Sequence, residues 1–262
     1  MTQVIKISGH ELDSPEYVEA FVRVVAALPE PPVIVHGGGK EISQLQERMG
    51  ITPQYVDGVR VTDADSLALV EMVLCGMINK RLVRNFVNGG VQAIGLSGVD
   101  FGLVRATKMA HLSVDMGFTG EVAMVRPDPL LALLAAGLTP IIAPICLGTA
   151  SNFNVNADHV SGALAAAIGA EQLVFLSNVP GVMLDGQVLP TLTDAQTEAM
   201  IGDQTIFGGM IPKVRTATGA LRRSVRAVVI TNLDGLRDGT GTTITAITEQ
   251  GLPQEGYSER ME

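Results

Sequence analysis

Strands alternating with helices along nearly all of the 262 residues predict an α/β fold, a three-layer αβα sandwich around a mostly parallel central sheet. Short apolar runs such as Pro32 to Val35 and Pro140 to Ile145 read as buried strands. Glycine-bearing turns follow several of these runs and lead into helices, as strand–turn–helix units require. There is no repeat and no long linker. The chain therefore reads as one domain with two lobes, about 1–150 and about 151–262.

In chain order, Val4 to Ile7 is a first strand, closed by Ser8-Gly9, with Lys6 unusual among β-branched neighbours. Glu16 to Leu28 places Val18, Phe21, Val24, Val25 and Leu28 on one helical face. Strand two precedes Gly37-Gly38-Gly39, and a helix then runs to about Met49. Asp57-Gly58 predicts a two-residue hairpin within Gln54 to Thr62. Thr62 is expected to cap a long helix from Ala64 to Phe86, apolar on more than one face. Such a helix is central to the core or packs on another subunit.

Val91 to Leu96 is a strand, followed by a β-rich stretch at Leu103 to Lys108 and Gly120 to Val125. Pro129 to Ala136 is a helix ended by Gly137, and Pro140 to Ile145 a strand. An Ala-rich helix to Ile168 and a strand at Gln172 to Leu176 come next. A hairpin at Asp185-Gly186 leads to a helix near Asp194 to Ile201, and Gly208-Gly209 opens another through Arg222. Strands at Val225 to Thr231 and near Ile244 complete the set, and the polar tail from Gly251 is expected to fray.

Apolar residues make up 47% of the chain, enough for a large core, and the net charge is −9. That sign argues against nucleic acid or an anionic membrane as partner. An anionic small molecule would need a local cluster of Lys and Arg. Cys75 and Cys146 lie in apolar runs and read as free thiols of a reducing cytoplasm. Lys6 interrupts the apolar start, so no export signal is expected, and no run reaches membrane-spanning length.

Several chemistries are excluded by pattern. No Gly-x-x-x-x-Gly-Lys-Ser/Thr phosphate loop occurs, and Gly37 to Ile42 fails Gly-x-Gly-x-x-Gly. His36-Gly37-Gly38-Gly39 is similar to a hydrolase oxyanion loop, but Gly95-Leu96-Ser97-Gly98-Val99 fails the nucleophile elbow at its last position. His10, His36, His111 and His159 lack metal-ligand spacing, so no protein-held metal is expected.

What remains is a set of cations near glycine turns. Lys6 stands near Gly9, Arg60 follows Asp57-Gly58, and Lys213 lies just inside the helix opened by Gly208-Gly209. In a parallel α/β sheet the strand C-terminal ends converge on one ligand-binding edge. Backbone N–H groups at a helix start there favour an anion. The triple-glycine turn alone fits a bare turn as well as an anion seat, and the three cations favour the seat. In Asn154-Val155-Asn156-Ala157-Asp158, alternation puts Asn154, Asn156 and Asp158 on one side if the segment is extended. Asn156 or Asp158 then either caps the next helix or contributes to a site.

These residues, with Asn79-Lys80, Val179-Pro180-Gly181-Val182 and Gly208-Gly209-Met210-Ile211-Pro212-Lys213-Val214, resemble in order the acetylglutamate kinases of the amino acid kinase superfamily. The resemblance spans residues 4 to about 245. It implies transfer of a phosphoryl group from ATP, whose Mg2+ travels on the nucleotide, to the side-chain carboxylate of N-acetyl-L-glutamate in arginine biosynthesis. By that resemblance Lys6 and Lys213 would stabilise the transferring group, Asp158 would hold both lysines, and Gly9 would donate an N–H. Gly38, Gly39, Arg60 and Asn154 would bind the acyl amino acid. Asn178, Val179, Pro180, Gly181, Val182, Met183, Thr205, Ile206 and Phe207 would hold the nucleotide. The N-lobe would carry substrate binding and dimerisation, and the C-lobe the nucleotide.

Three residues or features depart from the family pattern. Ser8 stands where a glycine is usual, and its hydroxyl would face a phosphate. Asn178 replaces the usual aspartate, as in related kinases acting on carrier-bound aminoadipate, although those tend to lack the Gly-Met-Ile-Pro-Lys block. The sequence starts almost directly at strand one, without the N-terminal helix of arginine-inhibited members, so the resemblance leads us to expect a homodimer insensitive to arginine.

Overall fold

The computed structural model describes residues 2–9, 11–207, 210–222 and 225–246. His10, the Gly208-Gly209 helix opening and the tail from Gly251 lie outside the described residues. The first half of the chain forms β1 (Gln3–Ile7), α1 (Pro15–Ala26), β2 (Val33–His36), α2 (Gly39–Arg48), β3 (Gln54–Val56), β4 (Val59–Val61) and α3 (Ala64–Glu71). A π-helical stretch (Met72–Ile78) joins α3 to α4 (Asn79–Asn88), and β5 (Ala93–Ser97), β6 (Val104–Lys108), β7 (Thr119–Val125), α5 (Asp128–Ala135), β8 (Thr139–Ala143) and β9 (Ile145–Leu147) follow. Next come β10 (Asn152–Val155), α6 (Ala157–Ala167), β11 (Gln172–Leu176), β12 (Met183–Leu184), β13 (Gln187–Val188), β14 (Thr191–Thr193) and α7 (Asp194–Gly202). The last described elements are α8 (Met210–Leu221), β15 (Ala227–Thr231), α9 (Leu233–Asp238) and β16 (Thr242–Thr245).

The main sheet has the order β14-β16-β15-β11-β1-β2-β8-β5. Its pairs are parallel except β15 with β16. Strands from before residue 150 fill one half and strands from after it fill the other, with β1 and β11 at the seam. β1 shows why the middle of the sheet is fixed. Its period of two sends Val4 into the core beneath α6 and α8, and Ile5 and Ile7 into the core beneath α1 and α4. All three are fully buried, worth about 1.5–3 kcal/mol each. Lys6 shares the face of Val4, which brings its ammonium to the N-terminal end of α6.

The β-rich middle closes into a ring of β10, β7, β6 and β9. Both expected hairpins form, with Asp57, Gly58, Asp185 and Gly186 all at positive φ as a type I′ turn needs.

Four elements differ from expectation. Asp63, not Thr62, caps α3, its carboxylate accepting from Ser66 N at 2.8 Å, while Thr62 is buried against Thr119. The carboxylate of Asp63 reaches N3 because it lies one residue nearer the helix. The helix 64–86 is interrupted by the π-helical stretch, which a 3.6-residue pattern does not reveal. Pro140 to Ile145 divides into β8 and β9 at Pro144, which has no N–H to give a ladder. The Gly-rich stretch from Leu236 contains the end of α9, closed by Gly239 in the left-handed region.

Candidate active site

The site begins where β1 and β2 end together at the C-terminal edge of the sheet. Gly37 N donates to Ile7 O at 3.1 Å, so the ladder continues into the two turns. There the backbones touch. A Cβ on Gly9 would lie 2.7 Å from both Gly38 Cα and Gly38 N, which only glycine avoids. A Cβ on Gly38 would lie 2.3 Å from Ile78 Cδ1 and 2.7 Å from Leu74 Cδ2, both on the π-helical stretch. Gly39 has nothing within 4 Å of a Cβ, so packing does not demand glycine there. Gly38 caps α2 without a side chain, leaving the helix N-terminus open toward a cavity of about 300 Å³.

Lys6, Gly9, Gly38, Gly39, Arg60, Asn154 and Asp158, expected from sequence to act together, all line this one cavity. Lys6 Nζ lies 2.8 Å from Asp158 Oδ1. Asp158 is free for this pairing because Asn156 is the helix cap, its Oδ1 accepting from Asp158 N at 2.8 Å. The extended segment stops at Val155, so Asp158 reaches the cavity from the first turn of α6 rather than from a strand. Asn154 Nδ2 donates to Thr62 Oγ1 at 3.0 Å, which fixes the amide plane.

Arg60 is held on several sides. Its guanidinium donates to Gly39 O at 3.0 Å, to Ser43 Oγ at 2.8 Å and to Gln46 Oε1, and it lies 4.8 Å from the centre of the Tyr55 ring. Gln46 is fixed in turn by Ser66 Oγ at 2.9 Å. Burial lowers the Arg60 pKa from its usual value, an effect opposed by Tyr55. A guanidinium braced in this way at a cavity wall is a preset receptor for a carboxylate.

A second cavity, of about 330 Å³, is walled by Asn178, Val179, Gly181, Val182, Met183, Thr205, Ile206 and Phe207, with Met210 and Lys213. Pro180, expected in the same set, does not line it. Lys6 lines the first cavity and Lys213 the second, and the Lys6 charge is felt at Lys213. β1 and β11 are parallel neighbours with Lys6 beside Phe175, two residues before Ser177. Lys213 Nζ donates to Ser177 Oγ, not to Asp158, so Asp158 holds one lysine directly and not both. Lys213 is nevertheless close enough to feel its surroundings. Burial and the Lys6 charge lower its pKa, while Glu11 and Asp158 oppose that shift.

Two contributors were not found from sequence. Ser177 is the first residue beyond β11, and its position at a strand C-terminus was the available signal. Glu11 accepts a hydrogen bond from the Ser8 hydroxyl, which is thereby engaged within its own turn at the cavity wall.

Behind the triple-glycine turn, His36 is fully buried, and burial lowers its pKa to about 4. The native ring is therefore neutral, whereas the unfolded ring titrates near 6.5. Below that value the unfolded chain binds the extra proton, so native stability is lost as pH falls from about 6.5 toward 4. The expected loss is about 3 kcal/mol. Urea unfolding at pH 7 and pH 4.5 checks this, and His36→Asn should show a smaller loss over the same window.

The amino acid kinase family profile matches residues 1–232. The acetylglutamate kinase of Roseiflexus castenholzii is 50% identical over 245 residues, covering 94% of each chain. That of Roseiflexus sp. strain RS-1 is 51% identical over 249 residues, covering 95% of this chain and 94% of its own. Among solved structures, the smu.665 protein of Streptococcus mutans UA159 superposes with a TM-score of 0.77 at 31% identity, covering 93% of this chain and 98% of that one.

Proposed function

The chain belongs to the amino acid kinase family, and on that premise we propose that it phosphorylates the side-chain carboxylate of N-acetyl-L-glutamate with ATP, in arginine biosynthesis. The product is N-acetyl-L-glutamyl 5-phosphate. The observation that carries this reading is a pair of cavities, one lined by Lys6 and the other by Lys213, with the two lysines close enough to feel each other's charge. One has an anchored guanidinium and open backbone N–H groups, as an acyl amino acid requires. The other has apolar walls at the C-terminal end of β11, as a nucleotide base and ribose require.

In this reading Arg60 and Asn154 hold the acyl amino acid, with its reacting carboxylate at the Gly38 and Gly39 N–H groups. Asn178 to Met183 and Thr205 to Phe207 hold the nucleotide, Pro180 as part of the turn between its lining neighbours. Lys6, fixed by Asp158, and Lys213, fixed by Ser177, neutralise the phosphoryl oxygens as the carboxylate oxygen attacks phosphorus and ADP leaves. Gly9 adds a backbone N–H. The catalysis needs no protein nucleophile and rests on positioning and charge. Among the described residues no group of three or more His, Cys, Asp or Glu side chains is placed to hold a metal ion. In this reading Mg2+ would come with the nucleotide phosphates, whose charge it neutralises.

Residues 1–150 are read as the acyl-amino-acid lobe and 151–262 as the nucleotide lobe. We further read the protein as a cytoplasmic homodimer. Met72 and Met77, each more than half exposed, leave an apolar strip on the long helix. Light scattering should give twice the chain mass, and a monomer or hexamer would contradict the dimer. No helix among the described residues is long and apolar enough to cross a membrane.

The function is tested by trapping acyl phosphate with hydroxylamine from N-acetylglutamate, N-succinylglutamate and N-acetylaminoadipate. Highest kcat/KM on N-acetylglutamate is expected. Preference for the aminoadipate derivative, which Asn178 leaves as the second reading, would keep the fold's chemistry and change the substrate. ATP-independent binding with no acyl phosphate from any of the three would overturn the kinase reading.

A further inference from the structure

His36 and Asn79 take no part in the chemistry above, yet both are buried directly behind the glycine turn. His36 Nδ1 lies 3.0 Å from Gly37 O, and its Nε2 lies 3.3 Å from Asn79 Nδ2. A carbonyl only accepts, so Nδ1 must carry the proton. The neutral ring then offers Nε2 as an acceptor, and the Asn79 amide supplies the matching donor. The chain of hydrogen bonds therefore has one consistent direction, from Asn79 through the ring to the Gly37 carbonyl.

Asn79 is placed at a cost. Its Nδ2 also lies 2.8 Å from Ile141 O and 3.3 Å from Leu96 O, tying it to β8 and β5, while its Oδ1 is buried without a partner. Gly95 makes room for that oxygen, since a Cβ there would lie 2.0 Å from it. A buried unpaired carbonyl calls for a reason. Asn79 opens α4 directly after the stretch whose Leu74 and Ile78 pack against Gly38, so its amide is anchored beside the glycine turn.

No described peptide is cis. In a trans peptide the C=O and N–H point in opposite directions. Holding the Gly37 carbonyl on the buried ring therefore turns the Gly38 N–H away from the ring, and Gly38 itself lines the cavity. We propose that His36 is the positioning residue of a buried relay, in which Asn79 sets the ring's tautomer and Nδ1–H holds the Gly37 carbonyl so that the Gly38 N–H is aimed at the anion. The proposal rests on the kinase reading for what that anion is.

Two substitutions separate this from simple packing. His36→Asn can keep a donor near Nδ1, whereas His36→Gln keeps an acceptor near Nε2 and loses the bond to Gly37. The relay predicts that His36→Gln lowers kcat at least about tenfold while His36→Asn stays within about threefold of wild type, with KM for ATP unchanged in both. Packing alone predicts the reverse, because Gln fills the ring's volume better. Wild-type activity in His36→Gln, or equal losses in the two, overturns the proposal. Side-chain 15N NMR of the wild-type protein at neutral pH decides the matter without any variant that must fold. A protonated Nδ1 with a bare Nε2 is expected, and the opposite tautomer overturns the relay. Should the wild type make no acyl phosphate, the kinase reading fails while this tautomer result still stands on its own.

Discussion

Lys213→Ala should lower kcat by about 10²–10³-fold and leave KM for the acyl amino acid within a few-fold of wild type. Lys213 lines the second cavity, not the one that holds Arg60 and Asn154. Its ammonium therefore contributes where charge develops in transfer and not where the acyl amino acid is held. Its pKa gives a second signature. Burial and the neighbouring Lys6 lower it, against the pull of Glu11 and Asp158. Deprotonation removes the stabilising charge, so kcat should decline on the alkaline side at a pH below the ordinary lysine value. Lys213→Arg cannot lose its proton in that range and should remove the alkaline decline, even where its geometry lowers the plateau. An unchanged kcat in Lys213→Ala would remove the lysine from the chemistry.

Arg60→Ala should act on the other parameter, raising KM for the acyl amino acid about 10- to 100-fold with kcat changed only a few-fold. That range corresponds to about 1.5–3 kcal/mol for a hydrogen bond to a charged group. The side chain has two duties, and the second must be measured separately. It donates to Gln46 Oε1 and Gly39 O, so truncation also strips a donor from buried Gln46. A loss of Tm should accompany the KM effect. Arg60→Lys should recover part of the affinity but not the two-pronged contact. A fall in kcat at constant KM would contradict the assignment of Arg60 to ground-state binding.

Much of this arrangement was legible in the residues themselves. Lys6 amid β-branched neighbours pointed to the open end of the strand or to a ligand, and the period of two explains why it faces α6. The dipeptides Asp57-Gly58 and Asp185-Gly186 demanded positive φ, and both adopt it. The family resemblance, not the residues alone, grouped Asn178 to Met183 with Thr205 to Phe207, and Pro180 aside they line one cavity.

Other features were hidden for physical reasons. The Lys213 partner depended on strand order, because Ser177 reaches it when β11 lies beside β15, the strand against which α8 packs. A change from i→i+4 to i→i+5 bonding at Met72–Ile78 leaves apolar spacing nearly unaltered, so periodicity could not announce it. The division of labour between Asn156 and Asp158 was open in sequence, since either side chain can cap a helix, and the actual cap geometry closed it.

The central claim is direct transfer between the two cavities, from ATP to the substrate's own carboxylate at Lys6 and Lys213. It is tested by N-acetyl-L-glutamate labelled with 18O in its side-chain carboxylate, incubated with MgATP and then treated with hydroxylamine. Attack of the labelled carboxylate on phosphorus makes that oxygen the bridge of the acyl phosphate. Hydroxylamine then attacks the carbonyl carbon and expels phosphate with the bridge attached. The account predicts one 18O in each phosphate released with hydroxamate. Phosphate free of label, formed while ATP is consumed, would show that water or a protein group received the phosphoryl, and would contradict it.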